Sequence, residues 1–341
     1  MKFLMLTKLF STNFVQAKNL KRIKNNYLQT IKADFSGNIM QNGLFENLYP
    51  RDKKPRSLME VLHSKLFRDN PYQAEKKNDT FKMKVIEDKK LLNTKEDFIC
   101  WLGHATFLIQ VNGKRMITDP CLTAPPFITR HTKLPISMEE LKPHYILVSH
   151  GHFDHLDADT VKHFNDAKAL IPLNMSETIK GYNQTIRTQE AGWFQKYEVD
   201  EDFEVYFLPS HHWHRRTLSD TNEVLWGSFV IKTQKETIYF AGDTAYSSHF
   251  KDIAELFDID KAILPIGAYE PREIMKEMHM NPEEALQAFN DLGAREMIPM
   301  HYGTFDLTDE PMGEAPKALM KYVRDEKIQF LEIGERYMSR S

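Results

Sequence analysis

The sequence predicts an α/β fold of stacked sheets covered by helices on both sides, preceded by an N-terminal extension. Three observations predict it. From residue 98 onward, short apolar runs succeed one another first as hairpins and then interleaved with helical patterns. The first 95 residues lack that texture and are irregular and mostly polar. Several of the later apolar runs end abruptly in His or Asp, as strands do when a rigid scaffold presents polar groups to a common rim. The chain therefore divides into an extension over 1–95 and one domain over 96–341.

Taken in order, a helical pattern at 58–66 and an exposed turn at Lys76-Lys77-Asn78-Asp79 are the only local features expected of the middle of the extension. Strands are then predicted at 98–111, 115–118, 145–149, 169–172, 203–208, 228–233, 237–241, 262–265, 296–299 and 329–333. Helices are predicted between them at 158–165, 177–182, 250–257, 283–292 and 316–324. The fourth helix has the clearest start: Asn281 as cap, Pro282 at the first position and Glu284 three residues beyond the cap.

Composition excludes several classes. Hydrophobic content of 41% with 27% charge fits a globular chain rather than a disordered one. A net charge of −3, with no basic patch interleaved with aromatics near the polar strand ends, gives no push toward nucleic acid. Two cysteines, Cys100 and Cys121, make no disulfide framework or structural zinc motif and leave the redox compartment open. No apolar run approaches membrane-spanning length. The charge distribution is less even. Residues 1–33 carry Lys2, Lys8, Lys18, Lys21, Arg22, Lys24 and Lys32 with no acid before Asp34, and Leu20, Ile23, Tyr27 and Ile31 recur at helical spacing. Such a segment can lie on an anionic lipid surface or dock an apolar stripe on the body. The 3–10 stretch mimics a signal peptide but is interrupted by Lys8. The expected location is the cytoplasm, with peripheral membrane contact.

The chemistry is concentrated in His150-Gly-His152-Phe-Asp154-His155, directly after the apolar Tyr145-Ile-Leu-Val-Ser149. Three imidazoles and a carboxylate at one strand end repel one another once charged, and a divalent cation of borderline softness resolves the conflict. The spacing brings His150 and His152 to one point and Asp154 and His155 to an adjacent one, the pattern of two ions side by side. Three further apolar runs end in His211-His212, in Asp243 and in His301. Together they supply a third His for each ion and one carboxylate to bridge.

With these residues in view, the sequence resembles the metallo-β-lactamase fold superfamily. Within it, the chain is similar to the N-acylphosphatidylethanolamine-hydrolysing phospholipase D family. The stretches that carry the resemblance include Trp101-Leu-Gly-His-Ala-Thr106, Thr118-Asp-Pro120, Pro209-Ser-His-His-Trp-His-Arg-Arg-Thr217, Pro265-Ile-Gly-Ala-Tyr-Glu-Pro-Arg272, His279-Met-Asn-Pro-Glu-Glu-Ala285 and His301-Tyr-Gly-Thr-Phe305. They thread most of 98–305, whereas the first 95 residues match only loosely. The resemblance implies an αβ/βα four-layer sandwich and two zinc ions. It puts His150, His152 and His212 on one ion, Asp154, His155 and His301 on the other, and Asp243 between them. It chooses His212 over His211 because His212 directly precedes Trp213. It also implies a phospholipid substrate, peripheral membrane association and a homodimer.

The activity implied is hydrolysis of N-acylphosphatidylethanolamine to phosphatidate and an N-acylethanolamine. Two zinc ions sharing a water would lower its pKa to about 7. Asp154 and Asp243 are then catalytic through the ions they hold, and His279 is expected as the proton donor to the leaving alcohol. Arg215 and Arg216, beside Trp213, are expected to meet the phosphate, and Tyr269 to line the substrate site. Asp119, Asp157 and His104 are expected to orient ligand imidazoles from behind. Two alternatives stand beside this reading: a metallohydrolase of lactones or soluble sugar phosphates, and an inactive metal-binding module. The second predicts a missing ligand, and none is missing.

Overall fold

The computed structural model describes residues 19–51, 68–88, 90–322 and 326–338. The extension opens with a small antiparallel sheet of β1 (Leu20–Ile23), β2 (Asn38–Gln41) and β3 (Leu44–Phe45). The helical reading of Leu20, Ile23, Tyr27 and Ile31 is thus replaced at its start by a strand, because Leu20–Ile23 pairs with Asn38–Gln41. Ile31 donates its backbone N–H to Phe194, and Tyr27 is exposed rather than docked. The signal-like stretch and the expected helix at 58–66 lie outside the described residues. Lys76 and Lys77 end the short helix α1 (Gln73–Lys77), and Lys76 is tied to Asp306, so the predicted open turn begins only at Asn78.

The first large sheet starts as an antiparallel meander of β4 (Phe98–Gly103), β5 (Thr106–Val111) and β6 (Lys114–Thr118). It continues in parallel through β7 (Tyr145–Leu147), β8 (Lys168–Pro172) and β9 (Arg187–Ala191). The second runs β10 (Gln195–Lys196), β11 (Glu204–Leu208), β12 (Ser228–Lys232) and β13 (Thr237–Phe240) antiparallel, then β14 (Lys261–Pro265) and β15 (Glu296–Met300) parallel. A last strand, β16 (Arg336–Tyr337), closes the first sheet against β4. It replaces the predicted strand at 329–333, where only Ile333 makes a single bridge, to Val85, with another just before it at Ile328. β9 and β10 carried no apolar alternation strong enough to be read in advance: Arg187-Thr-Gln-Glu-Ala191 is nearly all polar.

Alternation explains the layers. In β5, Phe107, Ile109 and Val111 face the second sheet, while Leu108 faces the helical side; Ile146 and Leu147 of β7 divide in the same way. The Phe107 and Phe240 rings meet edge-on at 6.4 Å across the two sheets. Each buried ring removes about 150–250 Å² from water, roughly 4–6 kcal/mol gross. Helices α2 (Met138–Leu141), α3 (Ala158–Val161) and α4 (Ser176–Tyr182) contribute Leu141, Val161 and Ile179 to the core beneath the first sheet. On the other side, α5 (His249–Ala254), α7 (Pro282–Leu292) and α8 (Glu314–Tyr322) contribute Phe250, Phe289 and Leu319. The short α6 (Arg272–Met275) precedes α7. The result is the αβ/βα sandwich, with the expected capping box at Asn281 and Glu284 formed in both directions.

Candidate metal centre

Every expected metal ligand lies beyond the C-terminal end of a strand. His104 sits in the β4–β5 turn, Asp119 follows β6, and the His150–His155 loop follows β7. His212, Asp243 and His301 follow β11, β13 and β15. His104 and His301 adopt φ of +56° and +67°, a left-handed backbone that non-glycine residues hold only where their surroundings enforce it. Two glycines serve the approach. A Cβ on Gly242 would lie 2.6 Å from the Ser149 side chain, and one on Gly151 would lie 2.1 Å from the His214 ring.

The structure brings together two groups of donor atoms, His150/His152/His212/Asp243 and His104/Asp154/His155/His301, each within 4.8 Å. His150 Nε2 is 2.8 Å and His212 Nε2 3.2 Å from His152 Nδ1; His155 Nε2 and His301 Nε2 are 3.2 Å apart. Asp243 spans the groups. Its Oδ2 lies 3.0 Å from His155 and 3.9 Å from both His150 and His212, and its Oδ1 lies 3.1 Å from His301. His211 is turned elsewhere, 4.0 Å from Glu277.

The tautomers decide whether a cation fits. His155 Nδ1 donates to Asp119 Oδ2 (2.7 Å) and His212 Nδ1 donates to the Met278 carbonyl (2.9 Å). Ser149 donates its hydroxyl to Asp119, so it accepts from His150 Nδ1 at 2.9 Å. In their neutral forms these three rings therefore aim a bare Nε2 lone pair at other acceptors. His152 Nδ1 carries at most one proton for two such neighbours, and its Nε2 is buried without a partner. Donors about 2.0–2.1 Å from a tetrahedral ion stand roughly 3.3 Å apart, near the separations found. The donor set fits divalent metal binding. Without metal, burial pulls the His155 and His301 pKa values down, but nearby carboxylates outweigh it. His155 is held well above the ordinary value by Asp243 and Asp154, and His301 is raised to about 9. His104, lowered to about 3 by burial, is neutral and donates Nε2–H to Asp154 Oδ2 at 2.9 Å, which spends that nitrogen on orienting the carboxylate.

A family profile described as a beta-lactamase superfamily domain matches residues 114–302. The chain belongs to the metallo-β-lactamase superfamily of metal-dependent hydrolases. It is 34% identical over 248 residues to N-acyl-phosphatidylethanolamine-hydrolyzing phospholipase D 1 of Caenorhabditis elegans, covering 67% of this chain and 70% of that protein. It is 30% identical over 315 residues to the mitochondrial N-acyl-phosphatidylethanolamine-hydrolyzing phospholipase D of Saccharomyces cerevisiae, covering 83% of this chain and 66% of that one. Among solved structures, Igni18, a metallo hydrolase from Ignicoccus hospitalis, superposes with a TM-score of 0.56 at 22% identity, over 71% of this chain and 97% of its own.

Around this superfamily centre, several expected roles change. Asp157 caps α3 and accepts from Thr123 and Thr160, so it fixes the loop rather than an imidazole. Arg216 is committed to the backbone of the ligand loop. Its guanidinium holds the carbonyls of Gly151 (3.1 Å), His152 (3.4 Å) and Leu156 (2.6 Å), bonds Tyr182 Oη, and lies 4.3 Å over the Phe153 ring. His214, buried, accepts the Gly151 N–H at 3.1 Å. These two residues clamp the ligand loop, and neither role has a local sequence signal. Tyr269 is buried against the large core, with its backbone N–H donated to Glu310 at 3.1 Å. Arg215 keeps a position at the rim, 5.3 Å over Trp213, whose ring meets His152 at 4.7 Å. His279 Nδ1 lies 3.8 Å from Asp243 Oδ2, and burial lowers its pKa to about 4. The imidazolium needed for proton donation is disfavoured there, and a neutral ring with one N–H takes its place.

Proposed function

We propose that this chain is a dinuclear zinc phosphodiesterase that cleaves N-acylphosphatidylethanolamine to phosphatidate and an N-acylethanolamine. The observation that carries the reading is a complete double donor set in a chain 34% identical to a protein named for that reaction. His150, His152 and His212 would hold one ion, Asp154, His155 and His301 the other, with Asp243 shared. Bound there, the ions would acidify a water and offset negative charge on a phosphoryl oxygen. The chain's own residues do the rest. His104 holds Asp154 and Asp119 holds His155, which keeps the donor atoms convergent. Neutral His279 offers an N–H to a substrate oxygen, and Arg215, braced on Trp213, supplies the cation for a phosphodiester.

A lipid substrate is supported by the loops that surround the centre. Phe127, Phe153 and Leu218 stand exposed (108%, 42% and 92%) on the segments leaving β6, β7 and β11, the strands that deliver Asp119, His150–His155 and His212. Exposed apolar tips beside a polar site suit a lipid–water boundary. No helix among the described residues is long and apolar enough to cross a membrane. The test is incubation of purified protein with a panel of N-acylated phospholipids, lactones and soluble sugar phosphates in ¹⁸O-labelled water, with products read by mass. Phosphatidate carrying the label is expected. Turnover confined to lactones or sugar phosphates would replace the substrate assignment, and label in the released alcohol would mean attack at carbon.

A further inference from the structure

The ligand segment around His212 follows β11, and a single antiparallel bridge from His211 to Ala245 holds it on one side. The backbone of His212 itself is held by the extension. Asn47 Nδ2 donates to the His212 carbonyl at 3.0 Å, and the His212 N–H donates back to Asn47 Oδ1 at 3.2 Å. Arg51 Nη2 donates to the same carbonyl at 2.8 Å. The Asn47 amide thus pairs with both backbone groups of His212, as a neighbouring strand would, and its Oδ1 also takes the Trp226 indole N–H at 3.2 Å. The Met278 carbonyl sets the ring of His212 from the other side. Phe45, fully buried in the large core and hydrogen-bonded to Asn222, anchors the segment just before the clamp. Tyr49 secures it between the two clamp residues by donating to Asp252 at 2.6 Å. Asn47 and Arg51 both lie N-terminal to the matched superfamily domain.

We infer that residues 45–51 of the extension complete the metal centre, with Asn47 and Arg51 as positioning residues for His212. This rests on the dinuclear reading above. Groups that orient metal ligands typically contribute about tenfold to a hundredfold in metal affinity. The test uses the full chain, stripped of metal and titrated with Zn²⁺ against a chromophoric chelator, with melting of the metal-free protein followed in parallel. Asn47→Ala and Arg51→Gln should each weaken one of two zinc sites by about tenfold to a hundredfold. Asn25→Ala, which removes another contact of the extension, to the Glu190 carbonyl, and touches no ligand candidate, should leave both affinities unchanged. Should Asn47→Ala fail to fold, Arg51→Gln decides, since Asn47 still engages both backbone groups in that variant. Wild-type zinc affinity in the clamp variants, or equal weakening in Asn25→Ala, overturns the inference while leaving the metal reading intact. Failure of the wild type to take up zinc overturns both.

Discussion

Asp119 and His155 share a 2.7 Å hydrogen bond from which solvent is wholly excluded. The same carboxylate accepts from the Ser149 N–H and hydroxyl, both at 2.7 Å, and Ser149 in turn holds His150. One buried group therefore sets the tautomers of ligand candidates in both halves of the centre. Asp119→Asn should weaken zinc binding by about tenfold to a hundredfold, because its amide hydrogens would have to face either His155 Nδ1–H or the Ser149 N–H. Chelator competition measures this. Unchanged affinity at both sites would remove Asp119 from the orienting role.

Zinc uptake should release protons. In the metal-free protein His155 is held well above its ordinary pKa and His301 is raised to about 9, so both carry protons at pH 7 that a ligand must lose. A pH-stat trace on mixing metal-free protein with Zn²⁺ at pH 7 should record acid release, and affinity should fall on acidification. A trace with no release would contradict the charge assignment.

The metal-free protein should be most stable near pH 6.5. A raised folded-state pKa stabilises fully below the unfolded value near 6.5, and that contribution fades as pH climbs through about 9 at His301. Below pH 6.5 the opposite group acts. His104 and His152, lowered to about 3 chiefly by burial, stay neutral in the fold while the unfolded chain takes up protons, so stability falls with pH. Melting temperature against pH for stripped protein should show this maximum. A monotonic rise from pH 6.5 to 9 would contradict it.

Arg216→Lys should damage the loop, not the substrate contact. A lysine cannot reproduce a planar fork on three carbonyls, and the lost bonds should cost about 2–4 kcal/mol in stability. Zinc affinity should fall with little change in KM for a soluble phosphodiester. A raised KM with normal zinc affinity would restore Arg216 to the phosphate.

His279→Ala should slow alkyl and phenolate leaving groups to the same extent. In the proposed reading a ring with pKa about 4 is neutral at pH 7 and would orient substrate, which both leaving groups require. Selective loss on the alkyl ester would return His279 to proton donation.

The sequence by itself determined the stacked-sheet class and placed His and Asp side chains at several strand ends, while the choice of His212 over His211 rested on the family resemblance. Each of those signals is local: an alternating or apolar run gives a strand, and a His or Asp directly after it stands at the strand's end. The start of the Asn281 helix was legible for the same reason, since its cap, Pro282 and Glu284 are neighbours in the chain. The tertiary structure alone decided which polar groups were already committed elsewhere. Arg215 and Arg216 are adjacent in sequence, yet one stacks on Trp213 at the rim while the other is bound to carbonyls 60 to 65 residues away. Asn47 reads as one polar residue in a polar extension, and meets His212 across 165 positions. The edge strand Arg187–Ala191 likewise became a strand through its neighbour β8, not through its own pattern. A hydrogen bond between distant segments forms only when the rest of the fold has brought them together, so it leaves no periodicity or spacing in the chain that makes it.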